Sequence, residues 1–390
     1  MNITFFDDAN RDNLLPLCYM RPTAALRVGI LTIAEKWQHY SKGELGYKTQ
    51  PYLQKKYKAL AADDKLCLNG AVCPNDELWA VIKNMKPGQA LKKDHVLLAA
   101  KVPAAQFNEE ECLAKAGEFS APCNHISRPY HVFALNASEL KADFERLTHG
   151  RQSATLSATN TLIGPKQQIF LEEGATAEAS IFNTNDGPIY LGKNSKVMEG
   201  CVVRGGLALL DYATLKMMAK IYGATTVGPH CKVGGEVNNS VFTGYSNKGH
   251  DGFLGNSVIG EWCNLGADTN NSNLKNNYEE VKIWSYPKGG FEKTGLQFCG
   301  LIMGDHSKCG INTMFNTGTV VGISANIFGA GFPRNFIPSF SWGGPAGFTP
   351  YQINKALQTA QLVMQRRQKD LNQIERDILQ YIFDKTAQYR

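Results

Sequence analysis

Eight aliphatic residues stand six apart in unbroken register, from Leu191 through Val197, Val203, Leu209, Leu215, Ile221 and Val227 to Val233. The spacing returns at Phe253, Ile259 and Leu265, and again from Met303 through Cys309, Phe315 and Val321 to Ile327. A period of six matches neither the alternation of a strand nor the roughly 3.6 residues of a helical turn, so it marks a short unit stacked on copies of itself. Glycine follows at 192, 228, 234, 260, 266, 304, 310 and 322. The pairing reads as the hexapeptide repeat of a parallel β-helix. One inward aliphatic per short strand fills the bore of a three-sided prism, and the glycine beside it is expected to let the chain turn each corner. Leu209 to Ile221 is rich in Leu, Met and Ala and could mimic a helix, but no helix holds strict sixes over forty residues.

Composition narrows the function classes. The chain has 390 residues, 43% hydrophobic and 19% charged, which allows more than one compact domain with a sizeable core. No run of 18 or more apolar residues occurs, and Met1 to Asn10 carries two acids and no basic segment. Neither a membrane span nor a secretory signal is supported, so a cytoplasmic location and no membrane partner are expected. Ten cysteines include no Cys-x-x-Cys pair and no Cys/His cluster at zinc spacing, which points to reduced, mostly buried thiols and no metal site. A net charge of +6 without a basic run interleaved with aromatics argues against nucleic acid and suits an anionic small molecule.

Three regions follow along the chain. Residues 1–150 alternate apolar runs (Asn2 to Phe6, Lys65 to Leu68, His95 to Ala100) with helical patterns (Leu31 to Tyr40, Glu77 to Met85), as a small α/β domain would. Residues 155–340 carry the β-helix. Gly289, Gly290 and Gly295 fall in a break of the register between Asn270 and Leu301, where a protruding loop or coil insertion is expected. The glycines and prolines of Pro338 to Pro350 predict irregular structure. Residues 350–390 then predict one long amphipathic helix, with Ile353, Leu357, Ala360, Val363, Met364, Leu371, Ile374, Ile378, Ile382 and Phe383 on its apolar stripe and Arg366, Arg367 and Lys369 on a solvated face.

Chemistry must come from side chains that leave the prism. Tyr245 to Gly255, YSNKGHDGFLG, has the polar and glycine content of an excursion between coils. His250 has Gly249 and Gly252 close by, so a substrate could approach its imidazole, which titrates near neutrality and can take a proton from an attacking amine or hydroxyl. A lone loop histidine is more often a surface residue, and spacing alone does not decide between the two.

The stretch GHDGFLGNSVIGEWCNLGADTNNSN resembles the acetyltransferase half of the bifunctional N-acetylglucosamine-1-phosphate uridyltransferase and glucosamine-1-phosphate acetyltransferase family. That family has a histidine, an Ile/Leu-Gly, then Asn-Ile-Gly-Ala-x-Thr and a downstream Asn. The match runs without a gap from about Val227 to Asn273 and more loosely to Gly329. The resemblance implies a left-handed β-helix, a homotrimer with coenzyme A between neighbouring prisms, and acetyl-CoA as acyl donor in UDP-N-acetylglucosamine biosynthesis. It puts His250 in the place of the catalytic base, Asn264 and Asn273 on positions that hold the amino sugar phosphate, and Ala267 on one that meets the thioester arm. Arg334, after the last coil, is the candidate for a coenzyme A phosphate. Departures are plain: Asn238 stands where the family has a phosphate-binding lysine and Phe253 where it has a tyrosine. Lys248, Lys220 or Arg204 could supply the missing charge, each being equally well an ordinary surface cation.

The segment Asn13 to Trp37, NLLPLCYMRPTAALRVGILTIAEKW, resembles the opening of sugar nucleotidyltransferases. Those enzymes place a glycine-rich, arginine-bearing loop before it to cradle a triphosphate. Here FFDDANRDN holds that place without a glycine, and Gly70 is followed by Ala71 where the family has a Mg²⁺-binding Asp. Mg²⁺ is expected only if this domain is active, and Arg11, Arg21 and Arg27 are the groups it would use. Two functions compete: an acetyl-CoA-dependent N-acetyltransferase on an amino sugar phosphate, and a sugar-phosphate nucleotidyltransferase or a trimeric sugar-nucleotide-binding scaffold of that ancestry.

Overall fold

The structure, a computed structural model, describes residues 1–60 and 66–390. Lys65, at the start of the strand expected from Lys65 to Leu68, lies outside the described residues. The chain divides into two compact units, Met1–Arg27 with Leu31–Arg128, and Val28–Ile30 with Pro129–Arg390.

The first unit is a mixed sheet with helices. Its strands are β1 (Ile3–Phe6), β2 (Leu45–Lys48), β3 (Cys67–Asn69), β4 (Ala90–Lys93), β5 (Val96–Ala100) and β6 (Gly117–Glu118), in the order β2-β1-β3-β5-β4-β6. β1 is parallel to both neighbours, as expected of a strand buried on both faces, and every residue of β1 is buried. Three helices are each started by a side-chain cap: α1 (Ile33–Ser41) by a Thr32–Glu35 capping box, α2 (Asp76–Asn84) by Asn75 and α3 (Glu109–Lys115) by Asn108.

The second unit opens with α4 (His131–Ala134) and α5 (Asn136–Thr148) and continues into a parallel β-solenoid of about ten turns, residues 161–343. Its faces are sheets of six, nine and ten strands. Face one runs from Thr161–Ile163 to Phe253–Gly255, face two from Ile169–Leu171 to Phe336–Ile337, and face three from Thr176–Ala177 to the hairpin Ser341–Gly344 with Gly347–Pro350. The six-residue register maps onto the bore: Leu191, Val203, Leu209, Leu215, Val227 and Val233 are fully buried in one apolar cluster. Between Val233 and Ile259 the turns shorten, and Leu254 takes the inward place expected of Phe253, which is left half-buried outside.

The glycines beside the inward residues serve close approach rather than turning. A Cβ on Gly228 would lie 2.2 Å from the Thr243 carbonyl oxygen, and one on Gly266 2.4 Å from the Gly310 carbonyl carbon, so the next coil could not stack at strand spacing. The left-handed turns fall instead on Tyr212, His230, Tyr245, Trp262 and His306, with φ between 54° and 62°.

Three local expectations change. The break between Asn270 and Leu301 holds an antiparallel hairpin, Lys282–Ser285 with Gly290–Lys293. The stretch expected to be irregular contains the hairpin that ends face three, possible because Gly343 lets the strands close where a Cβ would lie 2.1 Å from the Gly347 carbonyl oxygen. The single long helix is two, α6 (Ile353–Gln365) and α7 (Gln373–Lys385), separated where Gln368 takes a left-handed φ of 57° and the Lys369 amide bonds back to the Met364 carbonyl. Among the described residues no helix is long and apolar enough to cross a membrane. None of the ten cysteines forms a disulfide among the described residues, and nine of them are buried.

Candidate active site

Stacked coils align not only inward residues but outward ones, and the outward column of face three carries the charge. Thr214, Lys232, Asn247, Asn264, Lys308 and Asn326 succeed one another in strand register. Beside this column lies a cleft of about 770 Å³, lined by His250, Asn264 and Ala267, by residues of α6, and by Lys216, Lys232, Lys308, Arg366 and Arg367. Among the described residues no carboxylate lines it. The cations crowd one another: burial and then Arg367, Lys216 and Arg366 hold the Lys232 ammonium below its usual value. Burial brings Lys308 down to about 8. Cations gathered without a counter-ion make a site for an anion.

His250 stands exposed in the excursion between strand Asn247–Lys248 of face three and Phe253–Gly255 of face one. Beside it, Gly249 has no atom within 4 Å of where a Cβ would sit, so the approach to the imidazole is open. The loop's backbone is fixed from beneath. Lys248 Nζ donates to the His250 carbonyl at 2.9 Å and to the Gly234 carbonyl at 3.2 Å.

One corner of the cleft is aromatic. Tyr212, His230, Tyr245, Trp262 and His306 stack in sequence with centroids 5.0, 4.8, 4.3 and 6.4 Å apart and planes within 16°. The left-handed corner of each coil aims these rings along the same edge, and Tyr245 and Trp262 face the cleft. Lys369 lies 5.8 Å over the Tyr245 ring.

The structure therefore brings together His250, Asn264 and Ala267, and not the remaining candidates. Asn273 is outside the cleft and donates its amide to Asn256 Oδ1 at 2.8 Å. Lys248 is not an outward cation: it occupies the inward column between Val233 and Leu265, is 1% exposed, and is spent on two backbone carbonyls. Arg204 is on face one, paired with Asp186 at 2.6 Å, and Lys220 is paired with Glu236 at 3.5 Å. Arg334 lines a second cavity with no residue in common with the first. Lys216, Lys232 and Lys308 escaped sequence reasoning, and Arg366 and Arg367, expected only on a solvated face, line the cleft instead. Lys232 shares the register position of Asn264 and Lys216 directly follows the inward Leu215, which spacing could have shown, but the insertion before Lys308 and the helix break after Arg366 hid the other three.

In the first unit, the residues that follow β1 close on themselves. Asp7 accepts from the Thr23 amide and hydroxyl, both at 2.8 Å, and from the Thr49 hydroxyl, and Arg11 Nε lies 3.3 Å from it. Arg11 also donates to the Cys18 carbonyl and the Tyr52 hydroxyl. Burial alone would raise the Asp8 carboxyl, but the His125 imidazole 3.3 Å away and the hydrogen bond from Asn69 outweigh it and hold it below the usual range. Arg11 and Arg21 are each 4% exposed, and Arg27 lies 3.6 Å from Glu35. Among the described residues no group of three or more His, Cys, Asp and Glu is arranged to hold a metal ion.

Residues 3–152 match the family described as sugar nucleotidyl transferase. A comparison with curated proteins gives no match. Among solved structures, the polySia-specific acetyltransferase NeuO is 13% identical, with 54% of this chain covering 95% of that one at a TM-score of 0.28. LpxA, a UDP-N-acetylglucosamine acyltransferase from Bacteroides fragilis, is 14% identical over 58% of this chain and 82% of that one, at 0.27. A mutant of AntD, an N-acyltransferase from Bacillus cereus in complex with dTDP and coenzyme A, is 11% identical over 54% and 87%, at 0.22. Likenesses this distant do not assign a donor or an acceptor.

Proposed function

We propose that the solenoid unit transfers an acetyl group from acetyl-CoA to the amine of an amino sugar phosphate, with His250 as general base. The observation that supports this is the cleft itself, which places an accessible imidazole among five cations with no carboxylate. Both substrates are anionic through phosphate, and both suit such a lining. In the reaction, His250 takes the proton from the amine as nitrogen attacks the thioester carbonyl, backbone N–H groups of the coils steady the oxyanion, and the intermediate collapses with loss of the thiolate, which regains a proton from the imidazolium. No covalent acyl-enzyme forms, and the buried thiols take no part.

Thiol release from acetyl-CoA with glucosamine 1-phosphate tests it. His250→Ala should lower kcat by about 10² or more, and Lys308→Ala should act chiefly on KM. Undiminished turnover in His250→Ala removes the assignment. A homotrimer belongs to the same reading, and a strict monomer by mass in solution would leave it without the neighbouring wall of the donor site.

A second reading rests on the match of residues 3–152 to sugar nucleotidyl transferases. Pyrophosphate release from UTP or dTTP with a sugar phosphate tests that. The Asp7–Arg11 pair weighs against it, because Arg11 is already committed to Asp7, the Cys18 carbonyl and Tyr52.

A further inference from the structure

A second cavity of about 940 Å³ lies in the solenoid unit, where the inserted hairpin meets the last coil and the turn Ala387–Tyr389. Its character differs from the cleft beside His250. Trp284 of the hairpin stacks on Phe336 with centroids 4.1 Å apart and planes 6° apart, while Phe291 and Tyr389 meet Trp284 edge-on at 5.5 and 6.4 Å. Phe291 is 43% exposed, so an aromatic edge stands open at the cavity.

Above this aromatic wall stand cations. Lys275 is engaged with the Glu280 carbonyl at 2.9 Å and lies 3.9 Å from the Glu279 carboxylate. Lys282 and Arg334 also line the cavity, and both are exposed and without a carboxylate partner among the described residues. Among the described residues no acid lines the cavity, and the carboxamides of Asn335 and Gln388 add a donor and an acceptor each. A free sugar would leave the rings bare, an apolar molecule would leave two cations without a counter-charge, and an inorganic anion would fill a small part of the volume. One planar ring with a phosphate uses every wall, and a pocket of this size accommodates such a molecule.

The geometry points to this cavity as a binding site for a nucleoside phosphate, free or as the end of a larger molecule, with the base against the Trp284–Phe291 wall and the phosphate between Lys282 and Arg334. It is separate from the cleft that holds His250 and does not depend on the activity proposed there.

Titration calorimetry on the full chain with UDP, ADP and coenzyme A tests it, with uridine and inorganic pyrophosphate as partial probes. At least one of the three nucleotides should bind at a single site, and the partial probes should bind at least about tenfold more weakly, each lacking half of the recognition. Binding of UDP or ADP identifies a free nucleotide, and binding of coenzyme A alone, weakened by Arg334→Ala and not by Lys308→Ala, identifies the adenosine end of the coenzyme. Arg334→Ala and Lys282→Ala should each weaken binding by about tenfold or more, as expected for a lost charged contact. Both side chains are exposed, so neither change threatens the fold. Lys308→Ala, in the other cleft, should leave it unaltered. The proposal is overturned by the absence of saturable binding at millimolar nucleotide, by binding indifferent to Arg334 and Lys282, or by pyrophosphate binding as tightly as a nucleotide.

Discussion

Lys248 is a charged residue in the one column of face three that is otherwise apolar, and the two carbonyls it holds explain why it is tolerated. Burial brings its ammonium from 10.5 to about 8, with the carboxylates of Asp251 and Asp268 opposing the shift. Below pH 8 both folded and unfolded chains hold the proton, and the burial cost is present in full. Between about 8 and 10.5 the folded chain has released a proton that the unfolded chain still binds, so stability rises with pH across that window. Lys248→Met lacks this rise, and relative to the parent it should lose ground by up to ~3 kcal/mol as pH climbs from 8 to 10.5. Melting temperatures of both proteins at pH 7 and 10 check this; a constant difference between them means that the ammonium is not held in the bore. The same variant frees the His250 carbonyl, so its turnover should fall even where its stability does not. Sequence reasoning placed Lys248 outside because its loop is polar. Only the register with Val233 shows that it points inward.

At the scale of elements, two kinds of left-handed position separate. Solenoid corners place Tyr212, His230, Tyr245, Trp262 and His306 where glycine was expected, and the stacking of the rings from coil to coil offsets the strain of about 1–2 kcal/mol at each. Glycine is reserved for contact. Gly228→Ala would press a methyl into the Thr243 carbonyl and should cost about 2 kcal/mol or more, whereas Gly249→Ala meets nothing and should change stability by less than about 0.5 kcal/mol while narrowing the approach to His250. Equal losses in the two variants, by thermal or denaturant unfolding, would sink this distinction. Gln368 is the other kind. It ends α6 in a left-handed turn with no ring to stack on, so Gln368→Gly should raise stability by about 0.5–1 kcal/mol. A loss of that size instead, as for glycine in a helix interior, would mean that the helix runs on. The break was invisible in the sequence because residues 353–390 contain neither Gly nor Pro and the apolar stripe continues through it. It matters because it brings Arg366 and Arg367 to the cleft.

At the scale of the molecule, the repeat announced the solenoid because one fold alone answers a period of six. His250 was legible as a glycine-flanked histidine in a polar excursion between coils, and Asn264 and Ala267 only through the resemblance of their stretch to an acetyltransferase family. What the sequence hid depends on contacts across long separations: cations gathered from coils, an insertion and a helix, and a segment of three residues that belongs to the later unit although it lies early in the chain. Val28–Ile30 is part of the compact unit that includes Pro129–Arg390. The Gly29 amide donates to Asn136 Oδ1 at 2.7 Å, the Ile30 amide to Asp143 Oδ2 at 2.9 Å, and Thr226 Oγ1 to the Gly29 carbonyl at 2.8 Å. Asn136 and Asp143 are 0% exposed. A fragment of residues 129–390 loses these partners, leaving a buried carboxylate and a buried amide short of donors, at about 1–3 kcal/mol for each. It should still fold, since the bore is intact, but melt below the corresponding transition of the full chain. Restoring the three residues in trans is not expected to work, because a tripeptide forfeits its ordering entropy on binding. If the fragment melts with the full chain, then the early segment contributes nothing to the solenoid unit, and a single boundary near residue 129 describes the chain.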